Sequence, residues 1–364
     1  MLYRAPPPMP LHILSFAETL QGGGVERALL RMAAGWVERG HSVTLVLGSC
    51  EGPLAAEVPA GVTIVELGSR RYPILIRLAG VIRRVEPDIV FCPGNYYTAI
   101  SAITRLLLGR RTPPVVAKVS NALVRPEMAR IFAWGYRRWL RMHPAFLDHV
   151  VAMTPAMAEE AIAEMAMPRG RVSVIANPPA EAIPDAAPPP LPDGRYIVGV
   201  GRLEPQKRWD RLIAALPRLA DSSVKLLLLG EGTARTALAA QVAQLGLGAR
   251  VLMPGHVSDP LPALKGATVA ALTSDFEGVP GVIREALSQG TPVVATEASV
   301  AVREIIDAPE LGTVVSREDG DALVAALDHW LTPGRARPAP RTDAGDPIGD
   351  YLALFSRLAG QRIA

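Results

Sequence analysis

Short apolar runs alternate with helix-like segments along nearly the whole chain. Leu11 to Phe16, Ser42 to Leu47 and Tyr196 to Val200 have the length and composition of buried strands, and amphipathic segments follow them. Such alternation is typical of parallel sheets that carry helices on both faces, so we predict an α/β fold of doubly wound parallel sheets. Further strands are predicted at 62–67, 88–92, 115–119, 149–153, 172–176, 225–229, 251–253, 269–272 and 292–295, and helices at 73–85 and 97–109.

A proline-rich segment divides the chain in two. Prolines at the density found over 177–192 are incompatible with the interior of a helix or strand, and they favour an extended spacer. A chain of 364 residues is long for one core and natural for two. We therefore expect a first domain over 1–180, a linker over 181–192 and a second domain over 193–346. An amphipathic helix is predicted near the C-terminus.

Cysteine content and hydropathy indicate the compartment. The two cysteines, Cys50 and Cys92, are too few for a disulfide framework, and we expect both to be buried as small apolar side chains in a reducing compartment. No apolar run approaches the ~20 residues of a membrane helix, and the N-terminus does not have the pattern of a secretory signal. We expect a cytoplasmic protein.

Positive charge is concentrated in one segment of the first half. Residues 101–142 contain nine Lys and Arg against Glu127 alone. Part of this segment reads as a helix in which arginines alternate with aromatic rings, a pattern typical of a helix lying on an anionic membrane surface. The alternative is a core helix whose arginines extend over its own domain. No nucleic-acid-binding motif accompanies the charge. The candidate membrane or acceptor residues are Arg130, Trp134, Arg137, Arg138, Trp139 and Arg141.

Two glutamates flank the start of a helix in the second half. Glu277 lies on a glycine-containing loop after the predicted strand 269–272, and Glu285 lies about one turn into the helix that Gly290 ends. Ligands of open parallel sheets bind at the carboxyl ends of the strands, and a helix start suits a phosphate. Glu277 could then face the group that a bound phosphate carries, while Glu285 faces a neutral diol or hydroxyl deeper in the pocket. The alternative is two solvated acids at a helix start, where acids are favoured anyway.

Two other loops carry groups that suit a diphosphate. Arg202 and Lys207 follow the strand 196–200, one as a planar fork and the other as a point charge. Residues 22–24 are three consecutive glycines between the first strand and its helix, which lets backbone amides approach an anion. This glycine loop has neither the dinucleotide-binding nor the P-loop spacing, so alone it is a weak signal.

Together these segments resemble the retaining glycosyltransferases of family 4, which have the GT-B fold. The Glu-x7-Glu spacing of Glu277 and Glu285, the Gly-Arg-x4-Lys run that ends at Lys207, and the glycine loop carry the resemblance over nearly the whole chain. The resemblance implies two facing Rossmann-like domains, with the C-terminal helix, residues 347–364, crossing back to the first. It implies catalytic roles for Glu277, Arg202 and Lys207. The donor-binding residues that it implies are Gly23, Gly24, Asn121, Gly201, Gly255, His256, Gly278, Gly281, Val282 and Glu285.

The chain departs from the family's pattern after the fifth strand. Many members carry a histidine there, close to the donor sugar, whereas this chain has Ser120 and Asn121. Any role that depends on the histidine is therefore in doubt. Asn121 can still donate and accept hydrogen bonds to a hydroxyl or acetamido group.

The expected function is transfer of a hexosyl or N-acetylhexosaminyl group with retained configuration. The donor would be a nucleotide-diphosphate sugar, with a UDP-sugar favoured, and the acceptor a glycan or lipid-linked saccharide of cell-surface polysaccharide assembly, at the inner face of the membrane. With two cations in place we expect no metal and no cofactor besides the donor. The alternatives are a non-catalytic nucleotide-sugar-binding protein, a GT-B epimerase or hydrolase, and a Rossmann dehydrogenase; the last is disfavoured because neither half has its glycine fingerprint.

Overall fold

A computed structural model describes residues 9–21, 23–123, 130–180, 182, 187–341 and 345–363. The chain divides into two compact units, one formed by residues 1–178 together with 345–364 and the other by residues 179–344. Only residue 182 and residues 187–192 of the expected linker lie within the described ranges.

The first unit is built on a parallel sheet. Its strands are β1 (His12–Ala17), β2 (Ser42–Leu47), β3 (Val62–Glu66), β4 (Ile89–Cys92), β5 (Val115–Lys118), β6 (His149–Ala152) and β7 (Val172–Val174). Within the described residues the order is β3-β2-β1-β4-β5-β6-β7, and every neighbouring pair is parallel. The helices are α1 (Gly24–Glu38), α2 (Leu78–Val85), α3 (Thr98–Leu108), α4 (Arg130–Leu140) and α5 (Pro155–Met165).

The helix predicted over 73–85 is wrong in its first half. A 3-10 turn occupies Tyr72–Arg77, and the α-helix begins only at Leu78. Side chains three residues apart lie on one side of a 3-10 turn. The turn therefore brings Leu75 and Leu78 to the same side, and both are fully buried.

The second unit repeats the architecture. Its strands are β8 (Tyr196–Val200), β9 (Lys225–Leu229), β10 (Val251–Gly255), β11 (Val269–Leu272), β12 (Val293–Thr296) and β13 (Gly312–Val315). The order is β10-β9-β8-β11-β12-β13, again all parallel within the described part. The helices are α6 (Trp209–Ala215), α7 (Arg235–Gln244), α8 (Leu261–Gly266), α9 (Gly281–Ser288), α10 (Val300–Ile305) and α11 (Gly320–Leu331).

The last helix, α12 (Pro347–Ile363), belongs to the first unit. Its Tyr351 and Phe355 pack against Trp36 of α1, with ring centroids 6.1 and 5.4 Å apart, and against Phe91 of β4. All four rings are buried. This apolar contact explains why the C-terminal helix returns to the first unit, as predicted. Two parallel-sheet units and such a helix are the components of the GT-B fold.

The cysteine prediction holds for one of the two residues. Cys92 is buried on β4, whereas Cys50 is only half-buried, because it follows β2 on the loop where the strand leaves the sheet. Both thiols are free.

Candidate active site

A salt bridge lies at the carboxyl edge of the second sheet. Lys207, on the loop after β8, places its Nζ 2.6 Å from Oε1 of Glu277, on the loop after β11. The Ser274 hydroxyl donates to the same oxygen at 2.7 Å. The side chains of Lys207 and Glu277 are only 15% and 12% exposed. The structure therefore brings together two residues that the sequence places 70 positions apart.

Asp275 links the same two loops. Its carboxylate forms ion pairs with Arg208, at 3.4 Å, and with Arg211, at 2.6 Å. Its backbone N–H donates to the Gln206 carbonyl at 2.9 Å. Neighbouring hydrogen bonds reinforce the link, because Thr273 Oγ1 donates to the carbonyls of residues 207 and 208. The salt bridge is thus held by a cross-linked loop pair rather than by two independent side chains.

Sequence reasoning missed this network. A signal existed, since Asp275 lies two residues before Glu277 and Arg208 follows Lys207 directly. Nothing in the sequence indicated, however, that these neighbours face each other.

Arg202 extends the positive charge along the edge. Its carbonyl accepts from the Trp209 indole N–H at 3.0 Å. Its side chain is exposed and, among the described residues, makes no hydrogen bond or ion pair, although its charge helps to lower the pKa of Glu204 after the hydrogen bonds from Thr233. Its neighbour Gly201 allows a close approach, since a Cβ there would lie 3.2 Å from Lys207 Cε. Gly230 is packed still more tightly: a Cβ at this position would lie 2.0 Å from the Gly201 carbonyl oxygen.

The helix start expected beside the glutamates is present. Pro280 precedes α9 in an extended conformation, and Glu285 is the fifth residue of the helix. A Cβ at Gly281 would lie 3.9 Å from Glu285 Oε1, so the glycine leaves room beside this carboxylate. Gly278 is buried and its carbonyl accepts from Ser299. Val282 is the half-buried second residue of the helix.

Two expected donor-binding residues lie farther along the sheet. Gly255 ends β10, and its carbonyl accepts from the Gly230 N–H at 2.8 Å. His256 follows it and is exposed. The strand order places β10 at the sheet edge, two strands from β8. These two residues therefore adjoin the loop after β9 and not the Lys207–Glu277 pair.

The expected donor-binding residues of the first unit follow β1 and β5. Gly23 precedes α1, with the Glu26 carboxylate 2.5 Å from where its Cβ would lie, and Gly24 begins the helix and is exposed. Gly22 lies outside the described residues. Asn121 folds its side-chain oxygen back onto the Ala122 N–H at 2.9 Å.

Lys118 is a buried cation that the sequence interpretation missed. It was counted with the basic segment 101–142, but it lies on the last position of β5 and is buried. Its Nζ donates to Asn177 Oδ1 at 3.1 Å. Burial lowers the pKa of Lys118 to about 8, against the opposing charge of Glu26. Arg105, another basic residue of the segment 101–142, is also not an exposed free charge, because it forms an ion pair with Asp148.

Helix α4 carries the predicted mixture of rings and arginines. Phe132 and Trp134 are 72% and 66% exposed, and the Arg138 guanidinium lies 5.8 Å from the Trp134 ring centroid. Arg137, Arg138 and Arg141 are exposed, and Arg137 lies 3.7 Å from Glu164. Trp139 instead stacks on Phe146 and adjoins His143. Arg130 begins the helix.

The described part of the chain contains neither a candidate membrane-spanning helix nor a candidate metal site. Over the described ranges, no helix has both the length and the apolar character needed to cross a bilayer. In the same part of the chain, no group of three or more His, Cys, Asp or Glu side chains could hold a metal ion.

Comparison with known families identifies the class of protein. The model of Glycosyl transferases group 1 matches residues 185–343, and that of Glycosyltransferase Family 4 matches residues 22–178. Together they cover most of the chain. The chain belongs to glycosyltransferase family 4, within glycosyl transferases group 1.

Curated relatives match over part of their length. One is the N-acetylgalactosamine-N,N'-diacetylbacillosaminyl-diphospho-undecaprenol 4-alpha-N-acetylgalactosaminyltransferase of Campylobacter jejuni, 31% identical over 41% of either chain. Another is the lipopolysaccharide core biosynthesis glycosyltransferase LpsE of Rhizobium meliloti, 30% identical over 52% of this chain and 56% of the relative. This chain thus spans about half the length of these relatives.

A solved structure shows the same fold over nearly the whole chain. Anabaena Alr3699/HepE in complex with UDP-glucose superposes with a TM-score of 0.72, covering 97% of this chain and 98% of that one, at 20% identity. At this identity the likeness shows the fold alone.

Proposed function

We propose that the chain is a retaining glycosyltransferase that moves a sugar from a nucleotide-diphosphate sugar, with a UDP-sugar favoured, to a glycan or lipid-linked saccharide of the cell surface. The observation that carries the proposal is the Lys207–Glu277 salt bridge at the carboxyl edge of the second sheet, beside the start of α9. Membership of family 4 supports it, and so do relatives named for lipid-linked and lipopolysaccharide acceptors and a fold neighbour that binds UDP-glucose.

The salt bridge leaves donor and acceptor atoms for a ligand. A lysine ammonium has three N–H donors, and in the described structure Lys207 uses one of them to contact Glu277 Oε1. The remaining N–H donors of Lys207 can bind the diphosphate, and Arg202 adds its exposed guanidinium. Both contacts to the Glu277 carboxylate fall on Oε1, so Oε2 can accept a hydrogen bond from a sugar hydroxyl. By resemblance to family 4, in which the second glutamate of the pair binds the ribose of the nucleotide, Glu285 on α9 would bind the ribose.

Catalysis would come from stabilising the leaving group. As the sugar leaves, negative charge builds on the diphosphate, and cations fixed beforehand at that position lower the barrier. Lys207 is fixed by Glu277 and by the hydrogen bonds that Thr273 makes to its loop. The lysine would therefore reach the transition state with little reorganisation.

Thermal shift followed by turnover tests the proposal. We expect one of UDP-, GDP- or ADP-sugars to raise the Tm by several degrees at about 100 times its Kd. Lys207→Met should then lower kcat by about 100-fold or more, because one fixed cation is lost. Lys265→Met, which removes an exposed lysine of α8, is the matched control and should keep full activity.

The outcomes separate the alternatives. Donor binding without transfer or hydrolysis would favour a non-catalytic sugar-nucleotide-binding protein. A shift with NAD(P) and none with any sugar nucleotide would contradict the proposal and favour a dehydrogenase.

We also propose that α4 lies on an anionic membrane surface, where the lipid-linked acceptor would be. Its exposed Phe132 and Trp134 can enter the acyl boundary while neighbouring arginines bind headgroups. Arg137→Glu with Arg138→Glu should abolish sedimentation with phosphatidylglycerol vesicles. The matched reversal on α2, Arg83→Glu with Arg84→Glu, should leave it intact; equal binding by both double variants would refute the proposal.

A further inference from the structure

Three of the chain's seven tyrosines meet at the carboxyl edge of the first sheet. Tyr96 lies 4.9 Å from Tyr72 and 5.1 Å from Tyr97 between ring centroids, and both contacts are edge-to-face. Tyr72 and Tyr97 are stacked, 6.2 Å apart. Tyr97 is buried, whereas Tyr96 remains 63% exposed. The cluster is thus an anchored aromatic group with one ring presented to solvent.

Hydrogen bonds fix the turn that carries the Tyr96 ring. The Tyr72 hydroxyl donates to the Tyr96 carbonyl at 3.0 Å. The turn is also fixed on its other side, because Asn95 Nδ2 donates to the Asn121 carbonyl at 3.3 Å and Ser120 Oγ donates to Asn95 Oδ1 at 3.1 Å. A side chain held by its neighbours loses little conformational entropy when a ligand covers it.

Polar groups surround the ring on the same edge. Glu18, directly after β1, donates its N–H to the Tyr97 hydroxyl at 3.2 Å, and that hydroxyl donates to Glu26 Oε1 at 3.4 Å. The Glu18 carboxylate is hydrogen-bonded to the Tyr96 side chain. Burial raises the pKa of Tyr96, and the charge and the hydrogen bond of Glu18 raise it further. The loops after β1, β3, β4 and β5 therefore converge here, at the edge where ligands of parallel sheets bind.

We propose that Tyr96 is the stacking platform for a pyranose ring of the acceptor, with Glu18 and Asn95 beside it as partners for sugar hydroxyls. A pyranose has apolar C–H faces and a rim of hydroxyls, which an anchored aromatic ring flanked by a carboxylate and an amide matches. Ligand sites commonly combine aromatic walls with a few polar groups that fix orientation. The assignment of this sugar to the acceptor rests on the proposed function; the binding of a pyranose does not.

The test measures pyranoside binding by the full chain. Saturation-transfer NMR is recorded with methyl glycosides of glucose, galactose, mannose, N-acetylglucosamine and N-acetylgalactosamine. At least one should bind the wild type, and Tyr96→Ala should weaken its binding about tenfold or more, the loss typical of a buried aromatic anchor. Tyr96→Phe keeps the ring and should bind within about twofold of wild type. Leu106→Ala, which removes an 83% exposed side chain of α3, is the control and should bind as wild type.

Two results would overturn the platform: no pyranoside binding by the wild type, or equal binding by Tyr96→Ala. Unchanged Tm shifts with nucleotides in Tyr96→Ala are expected, because those ligands would bind the second unit. If transfer is found, Tyr96→Ala should raise the acceptor KM with little change in the donor KM. Tyr96-dependent binding without any transfer by the wild type would leave the platform standing and contradict the transferase, so the two failures are distinguishable.

Discussion

A double-mutant cycle on the Lys207–Glu277 salt bridge gives the sharpest test of the site's geometry. The variants are Lys207→Met, Glu277→Gln and the two combined; the glutamine keeps an oxygen for the Ser274 hydroxyl. At 2.6 Å and an effective dielectric constant of about 20, the Coulomb attraction is about 6 kcal/mol. Desolvation of two largely buried ions cancels much of it. We therefore expect a coupling energy of about 2 kcal/mol.

The Lys207→Met variant and the double variant should differ in stability. Lys207→Met leaves a carboxylate that is 12% exposed without its cation, and we expect a loss of about 2–3 kcal/mol in the free energy of unfolding. The double variant should be more stable than Lys207→Met, because no carboxylate remains to be compensated. Urea denaturation followed by tryptophan fluorescence measures both quantities. A coupling energy below about 0.5 kcal/mol, the usual value for independent sites, would refute the reasoning.

Three further predictions concern stability. Burial, and then the charges of Arg357 and Arg171, lower the pKa of His149 to about 4, so the unfolded chain takes up a proton at a higher pH than the folded chain does. The free energy of unfolding should therefore fall by about 2 kcal/mol between pH 6.5 and 4. The fall should be smaller in His149→Gln, as measured by Tm against pH. The Tyr351 hydroxyl is buried without a partner in the described structure, so Tyr351→Phe should raise stability by about 1 kcal/mol in urea denaturation, and a loss would contradict this. Arg337 donates to the carbonyls of residues 267 and 290 and to the residue 291 hydroxyl, so Arg337→Met should cost about 2–3 kcal/mol, whereas loss of an exposed arginine elsewhere should cost under about 0.5.

Every strand of the two sheets except β13 was predicted, because the determinants of a buried parallel strand are local. Parallel strands buried on both faces are continuous apolar runs, and the predicted runs lie within a residue or two of the observed strands. Glu277 and Lys207 could be located for a related reason: the carboxyl ends of adjacent parallel strands must share one edge. β8 and β11 are neighbours in the sheet, so the loops that follow them meet.

The side-chain pairing could not be predicted, because it depends on contacts between distant positions. Asp275 pairs with Arg208 on the other loop and with Arg211 on α6, but the sequence shows only three charged residues in two unrelated segments. Lys118 was misassigned for a similar reason. A cation at the end of a strand reads as surface charge, and only the packing around β5 shows that it is buried against Asn177.

The salt bridge also limits which ligands can use it. Lys207 and Glu277 neutralise each other, so under the proposed function a diphosphate brought to Lys207 meets a carboxylate as well as an ammonium. A free nucleotide diphosphate would leave that carboxylate facing added negative charge at low exposure, which is unfavourable. A sugar attached to the diphosphate relieves this cost, because one of its hydroxyls can donate to Oε2 of Glu277. The same pair that fixes the lysine would therefore favour the intact donor over its leaving group, and so would assist both binding of the donor and release of the spent nucleotide.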